Sequence, residues 1–227
     1  TKEERHELIL ETLIKHESVQ VSDLSSLLAV STVTIRKDLT ELEKDNKLYR
    51  SHGKAILTNP YINNRSVNEK EKIATDEKNI IGRAAAAMIT KDDSIIIASG
   101  TTVEYFAKEV YASESLGRLT VITSALNVAS ILAKNRNIEV VQLGGIVRGT
   151  ALSAVGSDAE HLLENFSSSK LFIGVDGIDI EYGLSTTNLL EANLNRAMIR
   201  STQKTIVLCD SSKFGRRGFS RICGIDD

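Results

Sequence analysis

Residues 21–54 constrain the fold more than any other part of the chain. Their apolar spacing predicts two short amphipathic helices, over 21–28 and 31–46, joined by a turn at Ala29-Val30-Ser31. A basic hairpin follows over 47–57, with Gly53 supplying its turn. Ser31 suits a helix cap, because its hydroxyl can accept a hydrogen bond from a first-turn amide. With a further helix over 3–16, these elements are typical of a winged helix-turn-helix.

The first and third of these helices each have an apolar face that we expect to be buried. The expected buried residues are Leu8, Ile9, Leu13 and Ile14 in the first helix and Val33, Ile35, Leu39 and Leu42 in the third. We expect Ser22 to cap the second helix.

The polar residues of this module predict contact with DNA. A recognition helix presents its N-terminal residues to the major groove, and basic residues of the wing meet phosphate. Net charge gives no support, because residues 1–54 hold nine Lys and Arg against ten Asp and Glu, and the whole chain carries −2. The local basic face therefore matters more than the total. The candidate DNA-binding residues are Ser31, Thr32, Thr34, Arg36, Lys37, Arg50, His52 and Lys54.

Composition excludes several other classes of protein. A hydrophobic content of 41% and a charged content of 26% are typical of a soluble globular chain. We find no apolar run near the roughly 20 residues that a membrane span needs, and the charged N-terminal helix does not resemble a secretory signal. The two cysteines lie in no metal-ligand pattern. We therefore expect a cytoplasmic protein with no metal site and no cofactor.

The chain changes character twice along its length. Residues 58–72 hold the single proline, Pro60, and are rich in asparagine and charge, which predicts a linker between a winged helix-turn-helix at 1–57 and a second domain at 73–227. From residue 73 apolar strands alternate with helices, which indicates an α/β domain with a mainly parallel sheet covered on both faces. The predicted strands are 94–98, 119–123, 138–143, 171–175 and 205–209, and the predicted helices are 76–89, 102–110, 126–133, 158–164 and 190–201.

Small polar residues follow the predicted strands, where parallel sheets bind their ligands. Gly100 would let the backbone approach a ligand, and the amides after it open a helix whose N-terminus attracts anions. Taken singly, each such cluster also fits an ordinary turn. Together with one lysine and nearby carboxylates they suit a phosphorylated polyol. The candidates from these loops are Ser99, Gly100, Thr101, Thr102, Thr123, Ser124, Gly145, Asp176, Gly177, Asp179 and Lys213.

Motifs in both halves resemble the DeoR family of bacterial regulators. The helix and wing carry TIRKDL and then YRSHGKA, and SGTT, QLGG, FIGVDGID, GLSTT and DSSKFG follow in the order of the family's effector domain. That domain is related to ribose-5-phosphate isomerase. The resemblance implies an operator-binding regulator, usually a repressor, that is released by a phosphorylated sugar and acts as a dimer or tetramer.

The resemblance also implies roles for particular residues. Arg36 and Lys37 would contact the operator with support from Thr34, and Arg50 and His52 would contact the flanking backbone. Ser99 to Thr102 and Lys213 would hold phosphate, and Asp176, Asp179 and Glu191 would line the sugar end.

This chain departs from the family pattern at three positions. Lys54 replaces the second glycine of the wing motif, which would add a phosphate contact or alter the turn. Ala98 replaces an aspartate and Ser124 an asparagine, which would remove hydrogen bonds to a ligand. The family also continues beyond the last residue here, so we expect this chain to be part of a longer protein.

The alternative to a regulator is a sugar-phosphate isomerase with an accessory N-terminal domain. Aldose–ketose isomerisation needs a carboxylate base and a group that stabilises the enediolate. The candidates for these roles are Asp176, Asp179, Glu191 and Lys213. The DNA-binding module favours the regulator, because an isomerase has no use for an operator.

Overall fold

The structure, a computed structural model, describes residues 1–16, 18–45, 47–51, 53–57, 70–71, 74–91, 93–113 and 116–227. It divides into two units, Thr1–Asn63 (unit 1) and Asn64–Asp227 (unit 2). The predicted linker at 58–72 lies outside the described residues, apart from Lys70 and Glu71.

Unit 1 has three helices and a three-stranded antiparallel sheet in its described part, of which the sequence predicted the helices and the hairpin. Its elements are α1 (Lys2–His16), β1 (Ser18–Gln20), α2 (Val21–Leu27), α3 (Thr32–Lys44), β2 (Leu48–Ser51) and β3 (Lys54–Leu57). The strand order is β1-β3-β2. Gly53 has a φ of 78° between β2 and β3, in the left-handed region that glycine adopts without steric cost. The short strand β1 was not predicted, since three residues give too little periodicity.

The buried face of unit 1 is narrower than the sequence predicted. Ile9 and Leu13 of α1, and Ile35, Leu39 and Leu42 of α3, lie in the core. In contrast, Leu8, Ile14 and Val33 are 48%, 67% and 72% exposed, so their assignment to the core was wrong. One stripe of each helix suffices for contact in so small a unit, and the flanking apolar residues face outward.

The expected cap of α2 was also wrong. Ser22 lies inside the helix, and its hydroxyl donates to Oδ1 of Asp23 at 3.2 Å. The helix begins at Val21, whose amide donates to the carbonyl of Gly53 at 3.0 Å. Gln20 precedes it without a capping side chain.

Unit 2 contains a five-stranded parallel sheet in the order β12-β9-β4-β5-β6. Its elements are α4 (Thr75–Ala86), β4 (Ser94–Ile97), α5 (Thr101–Ala112), β5 (Leu119–Thr123), α6 (Leu126–Leu132), β6 (Ile138–Gln142), β7 (Ile146–Arg148), β8 (Ser153–Val155), α7 (Ser157–Leu163), β9 (Ser168–Gly174), β10 (Gly177–Asp179), β11 (Gly183–Thr186), α8 (Leu189–Arg200), β12 (Thr202–Leu208) and β13 (Ser220–Cys223).

Helices cover both faces of this sheet, which confirms the predicted fold class. Ile95 and Ile97 point to a core shared with α4, α5 and α6, whereas Ile96 points to a core shared with α7 and α8. The strands β9 and β12 each begin three residues earlier than predicted, because their first residues are polar and lie outside the apolar pattern. The β7–β8 hairpin and the antiparallel sheet β10-β11-β13 were not predicted either, because their strands have only three or four residues.

An ion pair closes the edge of the sheet where β4 and β9 begin. Lys170 Nζ lies 2.5 Å from Oδ2 of Asp93, and the Ser169 hydroxyl donates to Oδ1 at 2.8 Å. The amide of Thr90 donates to Oδ2 at 2.7 Å. Burial alone would raise the pKa of Asp93, but these partners hold it at about 2.

We predict that Asp93→Asn destabilises unit 2 in a pH-dependent manner. The ionised carboxylate stabilises the fold above the ordinary pKa of 3.8, and this contribution is lost as pH falls toward 2. That difference in pKa corresponds to about 2 kcal/mol of unfolding free energy. Urea unfolding should therefore separate variant from wild type at pH 7 and bring them together near pH 2. The exposed Glu139 provides the control substitution, Glu139→Gln; an equal loss in both variants would refute the assignment.

Candidate DNA interface and effector site

The N-terminus of α3 is capped as the sequence predicted. Ser31 Oγ accepts a hydrogen bond from the amide of Thr34 at 3.1 Å, and the two hydroxyl oxygens lie 2.9 Å apart. Thr32, Arg36 and Lys37 are exposed beside this cap. The start of α3 therefore offers two cations and a hydroxyl to solvent on a fixed first turn.

A buried carboxylate fixes α3 against α1. Asp38 accepts hydrogen bonds from Arg5 Nε at 2.5 Å and Arg5 Nη2 at 2.9 Å, and His6 Nε2 lies 3.3 Å from Oδ1. The bond from Arg5 holds the pKa of Asp38 below its usual value. Sequence reasoning missed this pair. The available signal was an acidic residue beside the buried Leu39.

The wing is tied to the other end of α3. Glu43 accepts from the amide and from Nε of Arg50, each at 2.9 Å. Arg50 therefore pairs with Glu43 within the protein, in addition to its predicted contact with the DNA backbone. Lys54 is exposed at the start of β3, and His52 lies outside the described residues.

Three strand ends of unit 2 meet at one residue. Gly174 ends β9, and a Cβ atom placed on it would lie 3.6 Å from the carbonyl oxygen of Ser99 and 4.0 Å from that of Leu208. The loops after β4, β9 and β12 are thus neighbours. Because the chain runs outward from β4 to β6 and returns as β9 on the other side of β4, this is the topological switch point of the sheet.

The loop after β4 leads into a helix whose first amides have no side-chain cap. Gly100 is the N-cap residue of α5, with a φ of 130° that few other residues adopt. Ser99, Thr101 and Thr102 are 6–8% exposed around it. An anion placed here would meet backbone amides and hydroxyl groups together.

Asp176 lies at the carboxyl edge of the parallel sheet, where the loops after β4, β9 and β12 are neighbours. Lys70 Nζ lies 2.7 Å from its Oδ1, and the hydroxyl of Thr186 donates to its Oδ2 at 3.1 Å. Burial would raise the pKa of Asp176, but the charges of Lys70 and Lys213 hold it below the usual value. The carboxylate is therefore ionised and already oriented by two neighbours.

A second carboxylate lies beside the first. Glu191 pairs with Nη1 of Arg148, and its amide donates to Oδ1 of Asn188, the cap residue of α8. Burial and the charge of Asp176 raise the pKa of Glu191. An incoming hydroxyl group can donate to either carboxylate.

Two lysines bring positive charge to the same region. Burial lowers the pKa of Lys213, and the like charge of Lys70 lowers it further. Burial and the charge of Lys213 lower the pKa of Lys78 to about 8, and Lys78 Nζ donates to the carbonyl of Lys70. Cations close enough to disfavour one another favour a bound anion.

The predicted residues at the end of β5 have partners within the fold. Thr123 Oγ1 donates to the carbonyl of Ile97 at 2.7 Å and accepts from the amide of Ala125 at 3.1 Å. Ser124 is buried, and its carbonyl accepts from the amide of Ala154. Ala98 packs in the apolar cluster below the edge.

Gly145, Gly177 and Asp179 shape loops around the edge. A Cβ atom on Gly145 would lie 2.5 Å from the carbonyl oxygen of Val155, and one on Gly177 would lie 2.5 Å from that of Arg216. Asp179 Oδ1 accepts from two amides of the β10–β11 turn and lies 2.9 Å from Arg217 Nη2. The two glycines allow a close approach of the backbone, and the side chain of Asp179 stabilises the β10–β11 turn.

The edge also includes residues that sequence reasoning did not select. Lys70 lies in the predicted linker, Lys78 lies inside a predicted helix, and Arg148 is not among the predicted site residues. These side chains reach the edge from distant segments, so no local spacing marks them.

Among the described residues there is no cluster of His, Cys, Asp and Glu suited to a metal ion. Nor does any helix in the described part have the length and apolarity to cross a membrane.

Comparison with known proteins gives matches to both units. A family model for a DeoR-like helix-turn-helix domain matches residues 5–60, and one for a DeoR C terminal sensor domain matches residues 73–227.

Similar proteins match over nearly the whole chain. The transcriptional regulator YulB of Bacillus subtilis is 38% identical over 99% of this chain and 85% of its own. The repressor GlcR of the same organism is 33% identical over 100% and 86%. The lactose phosphotransferase system repressor of Streptococcus mutans is 33% identical over 96% and 86%. Ribose 5-phosphate isomerase A from Neisseria gonorrhoeae has a TM-score of 0.46 and 16% identity over 63% of this chain and 54% of its own, a likeness of fold alone.

We predict that sulfate binds at this edge and that its binding weakens as pH rises through about 8, because Lys78 then loses its charge. Sulfate keeps its own charge between pH 6.5 and 9.5, so the pH dependence reports the protein. The rise in melting temperature over matched sodium chloride measures binding at each pH.

Lys78→Met should remove this pH dependence, and Lys213→Ala should weaken sulfate binding throughout. Lys134→Met, at an exposed lysine, should behave as wild type. A sulfate effect that is constant from pH 6.5 to 9.5 would contradict the prediction.

Proposed function

Because this chain belongs to the DeoR family of transcriptional regulators, we propose that it represses a carbohydrate-metabolism operon and releases its operator when a phosphorylated sugar binds unit 2. The observation that carries the proposal is the presence in one chain of a capped helix with two exposed cations in its first turns and of a cation-rich sheet edge. Relatives of similar length are regulators, so a regulator is favoured over an isomerase. One of them is named for a lactose system, which supports a sugar-related operon.

Unit 1 would contact DNA through the exposed start of α3. Arg36 and Lys37 are available for base edges and phosphates, while Ser31 and Thr34 fix the first turn. Lys54 in the wing would contact the flanking backbone. Helix-turn-helix proteins contact two half-sites about one helical turn apart, so we propose at least a dimer. Such a regulator works in the cytoplasm, where its operator is.

We predict that Arg36→Ala weakens specific operator binding while the fold is retained. A good base contact is worth about 1–3 kcal/mol, so affinity for an operator selected from a random duplex library should fall roughly 10- to 100-fold. Non-specific binding should fall much less. Fluorescence anisotropy at fixed salt measures both, and Arg136→Ala, at an exposed arginine of unit 2, is the control. An unchanged footprint for Arg36→Ala would exclude α3 as the recognition helix.

The effector would bind across the switch point. Backbone amides at the start of α5, the hydroxyls of Ser99, Thr101 and Thr102, and Lys213 would hold the phosphate. Asp176 and Glu191 would accept hydrogen bonds from the sugar hydroxyls. The remaining candidates, Thr123, Ser124, Gly145, Gly177 and Asp179, would keep the surrounding loops in place.

Release of DNA requires that the effector prefer one arrangement of the protein over another. We propose that Lys70 and Glu71 connect the site to the linker. Lys70 is bound to Asp176, and Glu71 lies 3.6 Å from Lys108, which in turn pairs with Glu104 of α5 at 2.8 Å. An effector that takes over Asp176 would change the contacts of Lys70 and Glu71.

We predict that Lys213→Met weakens effector binding, whereas Lys70→Met impairs the release of operator. With a panel of sugar phosphates, the compound that most raises the melting temperature of wild type serves as effector. Lys213→Met should need more of it but still release labelled operator fully at saturation. Lys70→Met should release less operator even when saturated, because its coupling to Asp176 is gone. Full release by Lys70→Met at saturation would refute the coupling and leave the effector site standing.

A further inference from the structure

Val33 is an exposed aliphatic side chain on a helix whose other apolar residues lie in the core. Its residue is 72% exposed, whereas Ile35 and Leu39 of the same helix are fully buried. It occupies the second position of α3, directly after the Ser31 cap and Thr32. Val33 therefore contributes nothing to the core of unit 1.

The position is unfavourable for valine on local grounds. A β-branched side chain loses rotamer freedom in a helix, and alanine has the higher helix propensity. Exposure of its methyl groups to water adds no stability. The fold of unit 1 alone gives no physical reason for a valine at this place.

The surroundings of Val33 indicate what could cover it. Residues three and four positions apart share a helix face, so Val33 lies beside Arg36 and Lys37. The hydroxyl of Thr32 is adjacent in the chain. An apolar side chain beside two cations is poorly matched to an apolar protein surface. It is well matched to the major groove, where phosphates flank base edges.

We infer that Val33 contacts the C5-methyl group of a thymine and so helps to specify the operator sequence. This inference rests on the proposed role of α3 as recognition helix. Thymine is the base that presents a methyl group in the major groove, and apolar side chains discriminate it by direct packing. Burial of one methyl group is worth about fourfold in an equilibrium constant. Val33 would then set base preference while Arg36 and Lys37 supply most of the affinity.

The test replaces each thymine of the selected operator by uracil, which removes the methyl group and leaves the hydrogen-bonding edge unchanged. Binding of wild type and Val33→Ala to each duplex is measured by anisotropy at one salt concentration. At one position per half-site, uracil should weaken wild-type binding about fourfold. At that position Val33→Ala, which lacks the two γ-methyl groups, should lose most of this sensitivity to uracil.

Controls separate this effect from folding and from general DNA binding. Val33→Ala should melt as wild type does, since alanine favours the helix. Ile80→Ala, at a residue of unit 2 that is 66% exposed, should keep the wild-type sensitivity to uracil.

The inference is overturned if Val33→Ala keeps the full sensitivity to uracil. A change in oligomer mass of that variant would then make Val33 a contact between protein copies. If Arg36→Ala also binds like wild type, the proposed role of α3 fails as a whole. If Arg36→Ala loses binding, only the assignment of Val33 fails.

Discussion

Charge buried at the carboxyl edge of the parallel sheet determines how the rest of unit 2 is arranged. A carboxylate leaves water at a large free-energy cost unless cations and hydrogen-bond donors replace its hydration. Asp176 obtains them from Lys70 and Thr186, and Glu191 obtains them from Arg148, so separate segments of the chain must converge there. Asp210, which follows β12, and Glu71 are also close enough to this edge for their charges to act on Lys78. Among the described residues, the cations here are Lys70, Lys78, Arg148, Lys213 and Arg216, and the carboxylates are Glu71, Asp176, Glu191 and Asp210. The surplus of positive charge suits a phosphate dianion, and the carboxylates suit the hydroxyl groups beside it.

Unit 1 also contains a buried carboxylate that is paired with a cation, and there the pair orients a helix. Asp38 is nearly inaccessible to water, and its bidentate bond to Arg5 holds α3 in one orientation against α1. The direction of α3 decides which of its side chains face outward. Arg36 and Lys37 owe their exposure to that contact as much as to their own polarity. A buried ion pair contributes little net stability but makes alternative packings unfavourable, because each would leave a charge without its partner.

The sequence predicted the parts of the structure that depend on local chemistry. The Ser31 cap, the helices of unit 1, the Gly53 turn and the five parallel strands all follow from spacing within a few residues. The convergence of the loops at Ser99, Asp176 and Lys213 follows from strand order. The sequence did not predict contacts that join distant segments, such as Lys70 with Asp176, which are 106 positions apart. It also misplaced Val33, because helical spacing alone cannot show how wide the buried stripe of a small helix is.

The two units can communicate only if binding at one changes the relative free energies of arrangements available to the other. Lys70 and Glu71 are the described residues nearest to the start of unit 2, and both have partners at its sheet edge and α5. An effector hydroxyl at Asp176 would replace part of the bond to Lys70 with a neutral contact. The ammonium group would then gain by moving toward the effector phosphate, away from the position that it holds at Asp176. The free energy that this contact can contribute to release of DNA is the difference between these two positions of Lys70.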